Sequence, residues 1–217
     1  MSIVYGTNAG AASLPAAVQQ GDIVLAAVCG SFNGNAAISL LTSGYTKSED
    51  LHQASSVGAM ASNAGIFVKL MGGTPDASVE FAGVGANSMT ALLVGVFRGV
   101  STTNPLDISP QVEYWPDNVR TRVPAITPTT PGALVVGVLL GSSVYVSGAY
   151  GAIPAPTGFT SIARQSSHNP TGNAHVSAGM YSKPWTGGTS PASNYVLGYN
   201  SGTAPSSISV ALALRPK

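Results

Sequence analysis

The sequence predicts an all-β protein, a duplicated β-sandwich whose halves are of jelly-roll or immunoglobulin-like type with about six strands each. Three observations lead there. Helix signals are almost missing, because 26 glycines and 15 prolines in 217 residues leave few windows able to hold three helical turns. Short apolar or β-branched runs bounded by Gly, Asn, Ser or Pro recur along the chain. Many of these runs match in pairs at a nearly constant separation.

The expected strands follow in order. In the first half they are Ile23–Val28, Ile66–Leu70, Ser78–Phe81 and Thr90–Phe97. In the second they are Ala133–Leu140, Gly179–Lys183, Asn194–Tyr199 and Ile208–Leu214. Ala11–Gln20 has room for one short helical turn. Gly83-Val84-Gly85 reads as a hairpin turn, since no helix follows it as a dinucleotide-binding loop requires.

The repeat sets the organisation. Gly21-Asp22-Ile23-Val24-Leu25 matches Gly132-Ala133-Leu134-Val135-Val136, and Gly44-Tyr45-Thr46 matches Gly158-Phe159-Thr160. Gly65–Lys69 matches Gly179–Lys183, Gly72-Gly73-Thr74 matches Gly187-Gly188-Thr189, and Ala91–Arg98 matches Ile208–Arg215. The openings, Ser2–Tyr5 and Gln111–Tyr114, match as well. A first half over 1–100, a short linker over 101–110 and a second half over 111–217 follow as an expectation. The two-proline connection Val100–Pro110 should hold the halves close, either as two sandwiches or merged into one. The last strand of each half is the most apolar and ends in Arg, as a strand buried on both faces would before it reaches solvent or an interface.

Composition narrows the function classes. The chain is 44% hydrophobic but only 8% charged, against about 25% in ordinary soluble domains, so self-repulsion is low and packing against neighbours is favoured. Net charge is +1 with no basic stripe and no aromatics interleaved with Lys and Arg, which argues against a nucleic-acid partner. The one cysteine, Cys29, lies in an apolar run and reads as a buried, inert thiol. The opening MSIVYG lacks a signal-peptide pattern, and the longest apolar run, Ala133–Leu140, is far short of the ~20 residues of a membrane helix. Synthesis in a cytoplasm and no membrane partner are expected.

The series GDIVLAAV, SGYTKSED, GIFVKLMGGTPDASVEF, FRGVSTTNPLD and ALALRP covers nearly the whole chain and resembles a β-sandwich family of phage virion structural proteins. The resemblance implies a virion component made in the host cytoplasm. The first expectation is a capsid decoration (cement) protein that binds and stabilises the capsid lattice. Its partners would be the major capsid protein or other virion proteins, and it would be a homo-oligomer, with a trimer preferred. The alternatives are a tail or fibre module binding host glycan or receptor, and a cellular carbohydrate-binding module. Ala133 departs from the pattern by standing where the first half has Asp22, which weakens that copy's turn.

No catalytic constellation stands out. His52, His168 and His175 lie in Ser/Asn/Gly-rich stretches and read as solvated loop residues, with no H-x-H, H-E-x-x-H or C-x-x-C spacing to hold a metal. No G-x-S-x-G occurs, and nothing fixes two of Asp50, Asp76, Glu80, Asp107, Glu113 and Asp117 at a glycosidase separation. No enzyme activity, cofactor or metal is expected. Two surfaces remain as candidates. Gln111–Pro124 carries Glu113, Tyr114, Trp115, Asp117, Arg120 and Arg122, where the matching Gly6–Pro15 has no charge. It reads as a docking edge with Tyr114 and Trp115 as anchors and Arg120 and Arg122 at the rim, or as a charge-protected edge hairpin. In Gly141–Pro156, Tyr145 and Tyr150 either stack on a sugar or pack beneath their own loop.

Overall fold

The described residues form fourteen strands. In the first half they are β1 (Ser2–Ala9), β2 (Ala11–Ser13), β3 (Ile23–Phe32), β4 (Thr46–Gln53), β5 (Ala61–Leu70), β6 (Ser78–Glu80) and β7 (Met89–Arg98). In the second they are β8 (Gln111–Trp115), β9 (Arg120–Val123), β10 (Leu134–Val144), β11 (Thr160–Asn169), β12 (Ala174–Pro184), β13 (Ser193–Val196) and β14 (Ser206–Leu214). This computed structural model describes residues 2–9, 11–32, 34–35, 37–54, 61–82, 89–115, 120–144, 153–169, 174–190, 193–196 and 206–217. Among them there is no helix, so Ala11–Gln20 supplies β2 and a turn where a helical turn was expected. The expected turn at Gly83-Val84-Gly85 lies outside the described residues.

All eight strands read from apolar runs are represented, with residues 197–199 of the expected Asn194–Tyr199 outside the described residues, and their pairing follows one rule. In the first half β1 pairs with β7, β2 with β6 and β3 with β5, all antiparallel, as in a ribbon folded back on itself near β4. The ribbon then wraps so that β7 also meets β3, giving the sheet order β1-β7-β3-β5-β4 with β2-β6 as a separate pair. In the second half β8 pairs with β14, β9 with β13 and β10 with β12, and β14 also meets β10, giving β8-β14-β10-β12-β11 with β9-β13 apart. Strand for strand the two orders are the same. Each half thus pairs as a ribbon wrapped back on itself, with a single strand at the tip.

The large sheets pack face to face. One core lies between them, formed by Ile23, Leu25, Ala27 and Cys29 of β3, Ile66 of β5 and Leu93 and Phe97 of β7. Facing these are Val136, Val138 and Leu140 of β10, Met180 of β12 and Val210, Leu212 and Leu214 of β14. The alternate residues of the same strands point outward. Val24, Val28, Phe67 and Val94 are covered by Leu14, Val18, Ile38, Met71 and Val79. Val135, Leu139, Tyr181 and Ala211 are covered by Val123, Ile126, Ile153 and Phe159. The central strands are thus buried on both faces, which is why they read as unbroken apolar runs. Each half is a five-stranded sheet with its own outer cover, and the two sheets share the core between them.

The ends of this shared core are fastened differently. At one end the strands turn polar: the Ser62 hydroxyl of β5 lies 2.7 Å from that of Ser142 on β10 and donates to the Ser206 carbonyl of β14 at 2.8 Å. At the other end the connecting segment runs beside the end of the chain. Ser101 N–H donates to Arg215 C=O, Arg215 N–H to Pro105 C=O, Asp107 N–H to Ala213 C=O and Lys217 N–H to Gly99 C=O, at 2.8–3.0 Å.

Candidate interaction surface

Strand β8 is the edge of the second sheet, and β9 crosses the outer face beside it. Glu113 and Trp115 are two apart on β8 and so share its outer face. Arg122 of β9 reaches over them. Its Nε and a terminal nitrogen bind both Glu113 oxygens at 2.7 and 2.9 Å, a bidentate fork, and its guanidinium lies 5.2 Å from the Trp115 ring centre. The Glu113 hydrogen bond holds the Arg122 guanidinium above its ordinary range, against the opposing effect of desolvation. The result is a partly buried platform of guanidinium stacked on indole, two residue types enriched at interface anchors. Arg120 opens β9 opposite Val196, and its side chain lies outside the described part.

Tyr114 does not join that platform. Neighbouring strand residues face opposite sides, so Tyr114 shares the inner face with Val112, which packs against the shared core. Tyr114 is 46% exposed. Burial raises its phenol above the usual range, and the charge of Glu49 on β4 adds to the effect. Of the two residues expected as anchors of a docking edge, Trp115 faces outward and Tyr114 inward, so they stand on the two faces of one edge strand. Tyr145 and Tyr150 lie outside the described residues.

On the same inner side a cleft of about 420 Å³ opens between β4–β5 and the connecting segment. Its lining combines Thr46, Ser48, Thr102 and Asn104 with Val68, Leu70, Pro105 and Leu106, with no ionisable side chain.

The histidines are not loop residues. His52 is in β4, His168 in β11 and His175 in β12, the last two directly opposite each other. His175 is buried, with Nε2 2.9 Å from the Ser177 hydroxyl, and His52 Nδ1 lies 2.8 Å from Asn63 Oδ1. The reading failed because backbone ladder bonds carry strands through Ser/Asn/His stretches irrespective of side chain. Among the described residues no three His, Cys, Asp or Glu side chains gather where a metal ion could sit. Of the carboxylates weighed as glycosidase groups, Asp50 pairs with Lys47, Asp76 with Lys69, Asp107 with Arg215 and Glu113 with Arg122. Asp117 lies outside the described residues.

The terminal arginines turn inward to buried carboxylates. Arg98 binds Asp22 through two nitrogens, both at 2.9 Å, and Gln19 N–H donates to the same carboxylate at 3.0 Å. Arg215 has no Asp at the matching position 133. Asp107, from the connecting segment, fills the same role. It accepts Arg215 Nε at 3.1 Å and the N–H groups of Thr129 and Thr130 at 2.5 and 3.1 Å. The turn expected to be weakened by Ala133 therefore has its carboxylate supplied from elsewhere.

No family model, no curated protein and no solved structure matches this chain. Among the described residues no helix is long and apolar enough to cross a membrane.

Proposed function

We propose that this chain is a non-catalytic virion structural protein, a capsid decoration protein that docks on a capsid lattice through the outer face of its second sheet. The observation that carries the reading is the Trp115–Arg122–Glu113 platform at an exposed sheet edge, in a chain with little charge to oppose close packing. Wrapped-ribbon sandwiches recur among viral capsid domains, which supports it by analogy of fold. The shared strand order, the matched Arg–carboxylate pairs and the matched Lys-over-aromatic pairs (Lys69 on Tyr45, Lys183 on Phe159) support a tandem duplication of one unit.

The test is co-sedimentation with virus particles stripped of the chain. Trp115→Ala should weaken binding by about tenfold or more, the range of an interface anchor, with the circular dichroism spectrum unchanged. Undiminished binding, or loss accompanied by unfolding, removes the platform from the contact. A second reading, a tail module that binds host glycan, is favoured by the uncharged cleft of about 420 Å³ with its hydroxyl and amide groups. Imaging the labelled chain on intact particles separates head from tail.

A further inference from the structure

The two large sheets have four edges, β1 and β4 in the first and β11 and β8 in the second. Three of the four carry a break in register: between Ile3 and Tyr5 in β1, Lys47 and Glu49 in β4, and Ser161 and Ala163 in β11. Such bulges twist an edge away from further pairing and are a common protection against it. Edge β8 has none. It runs in unbroken register against β14, from Gln111 opposite Ala211 to Trp115 opposite Ser207. Its residues Val112, Tyr114 and Trp115 are strong strand formers, and Tyr114 is one of three exposed large hydrophobic residues among those described. Its one charge, Glu113, is neutralised by Arg122 and does not repel an incoming strand.

We propose that β8 pairs antiparallel with β8 of a second copy of this chain, across a two-fold axis through Glu113. The sequence Gln-Val-Glu-Tyr-Trp suits that partner. Pairing about Glu113 sets Val112 opposite Tyr114 of the other copy, and the reverse, two β-branched–aromatic cross-strand pairs that cover the exposed phenol rings. Gln111 meets Trp115, and the two Glu113 carboxylates meet with an Arg122 guanidinium beside each. The contact is isologous, so it closes at two copies and leaves no growing edge. The axis is perpendicular to the sheets, so both Trp115–Arg122 platforms lie on one side of a continuous ten-stranded sheet. If they bind a lattice, they bind it as a pair, with the gain that effective concentration brings. Self-pairing does not depend on capsid docking, so the two can fail separately.

A symmetric cross-link tests it. Residues directly opposite in an antiparallel pair have Cα atoms about 4.5–5.5 Å apart, within disulfide reach. Cys29 is fully buried, and burial pushes its thiol up to about 12, so a thiol introduced at 113 would be the reactive one. Under mild oxidation Glu113→Cys should form disulfide dimer at least about tenfold faster than the exposed control Gln20→Cys. Sedimentation of the unaltered chain over a concentration series should show mass rising from 21.7 kDa to twice that value. Tyr114→Lys, at an exposed position, should weaken the association by about fivefold or more without altering the circular dichroism spectrum. Equal cross-linking at 113 and 20, a monomeric or trimeric mass throughout, or unchanged association of Tyr114→Lys overturns the proposal. Particle binding by a strictly monomeric chain would overturn the pairing and leave the capsid reading standing.

Discussion

Asp107 should be worth more to stability than any exposed carboxylate, although it lies in the connection between two halves. Its side chain is fully buried and accepts from the N–H groups of Thr129 and Thr130, from the Thr130 hydroxyl and from Arg215. Asp107→Ala leaves two backbone donors and a guanidinium without their acceptor. Orphaned buried donors cost about 1–3 kcal/mol each. Arg215 is one-third exposed, so water takes up part of its loss. A total of about 3–5 kcal/mol follows, near the cost of breaking a buried ion pair. For a chain of this length each kcal/mol is about 2–4 °C, so Tm should fall by roughly 6–20 °C. Urea unfolding followed by circular dichroism gives the same quantity as a lower midpoint at unchanged slope. The control is Asp50→Ala, whose ion pair with Lys47 is exposed and should matter by no more than about 1 kcal/mol. Adding Ala133→Asp to Asp107→Ala returns a carboxylate to the position that Asp22 holds in the first half, and should recover part of the loss. If Asp107→Ala costs no more than Asp50→Ala, the equivalence of Asp107 and Asp22 is wrong.

The same carboxylate predicts the acid limb of stability. Burial pushes the Asp107 carboxyl up, but the bonds from Thr130, Thr129 and Arg215 outweigh it and bring it from 3.8 down to about 2. A depressed carboxyl stabilises the fold above its unfolded value and loses that contribution as pH falls toward the folded value, here about 2 kcal/mol between pH 4 and 2. The stability gap between the unaltered chain and Asp107→Ala should therefore narrow over that window, and a gap independent of pH would contradict the assignment. Gly179→Ala should destabilise by about 1–3 kcal/mol, although Ala ordinarily favours a strand over Gly, because a Cβ there overlaps the hydroxyl of Tyr181. Tyr181 is buried and bonded to the Ile153 carbonyl, so it cannot swing aside; thermal melts showing a gain would refute this packing.

The apolar half of this architecture was legible and the polar half was not. Among the described residues every strand read from an apolar run is represented, and Ile23, Leu25, Cys29, Leu93 and Val135 are buried as their pattern required. The runs were long because both faces of those strands are covered, a physical cause visible in one dimension. Strand β4 (TKSEDLHQ) and most of β11 (TSIARQSSHN) carry few β-formers: Leu51 and Ala163 reach the shared core, and the rest is held by ladder bonds, which leave no mark on side-chain composition. The histidines were misplaced for that reason. At the candidate surface, the density of Trp, Tyr and Arg pointed to Gln111–Pro124, where Arg122 lies over Trp115. Period-two alternation, applied to Tyr114 and Trp115, already separates them onto opposite faces. The Glu113–Arg122 fork joins different strands, and the compensation of Ala133 by Asp107 joins the linker to the last strand. Neither leaves a local signal.

The sharing of one core explains why the connecting segment is so heavily fastened. Each five-stranded sheet presents an apolar inner face that the other sheet covers. Each outer face is covered by its own half, through β2, β6 and flanking residues such as Leu14 and Ile38 in the first and through β9, Ile126, Ile153 and Phe159 in the second. Burial of apolar surface holds the sheets together but is indifferent to small sliding. Directional contacts must set the register. The Ser62–Ser142–Ser206 hydroxyls do this at one end, and the bonds from the connecting segment to Ala213, Arg215 and Lys217 do it at the other. A surface that spans β8, β9 and β14 keeps its shape only if those fastenings hold. The position of Trp115 and Arg122 is then a property of both halves together, though every atom of the platform comes from the second.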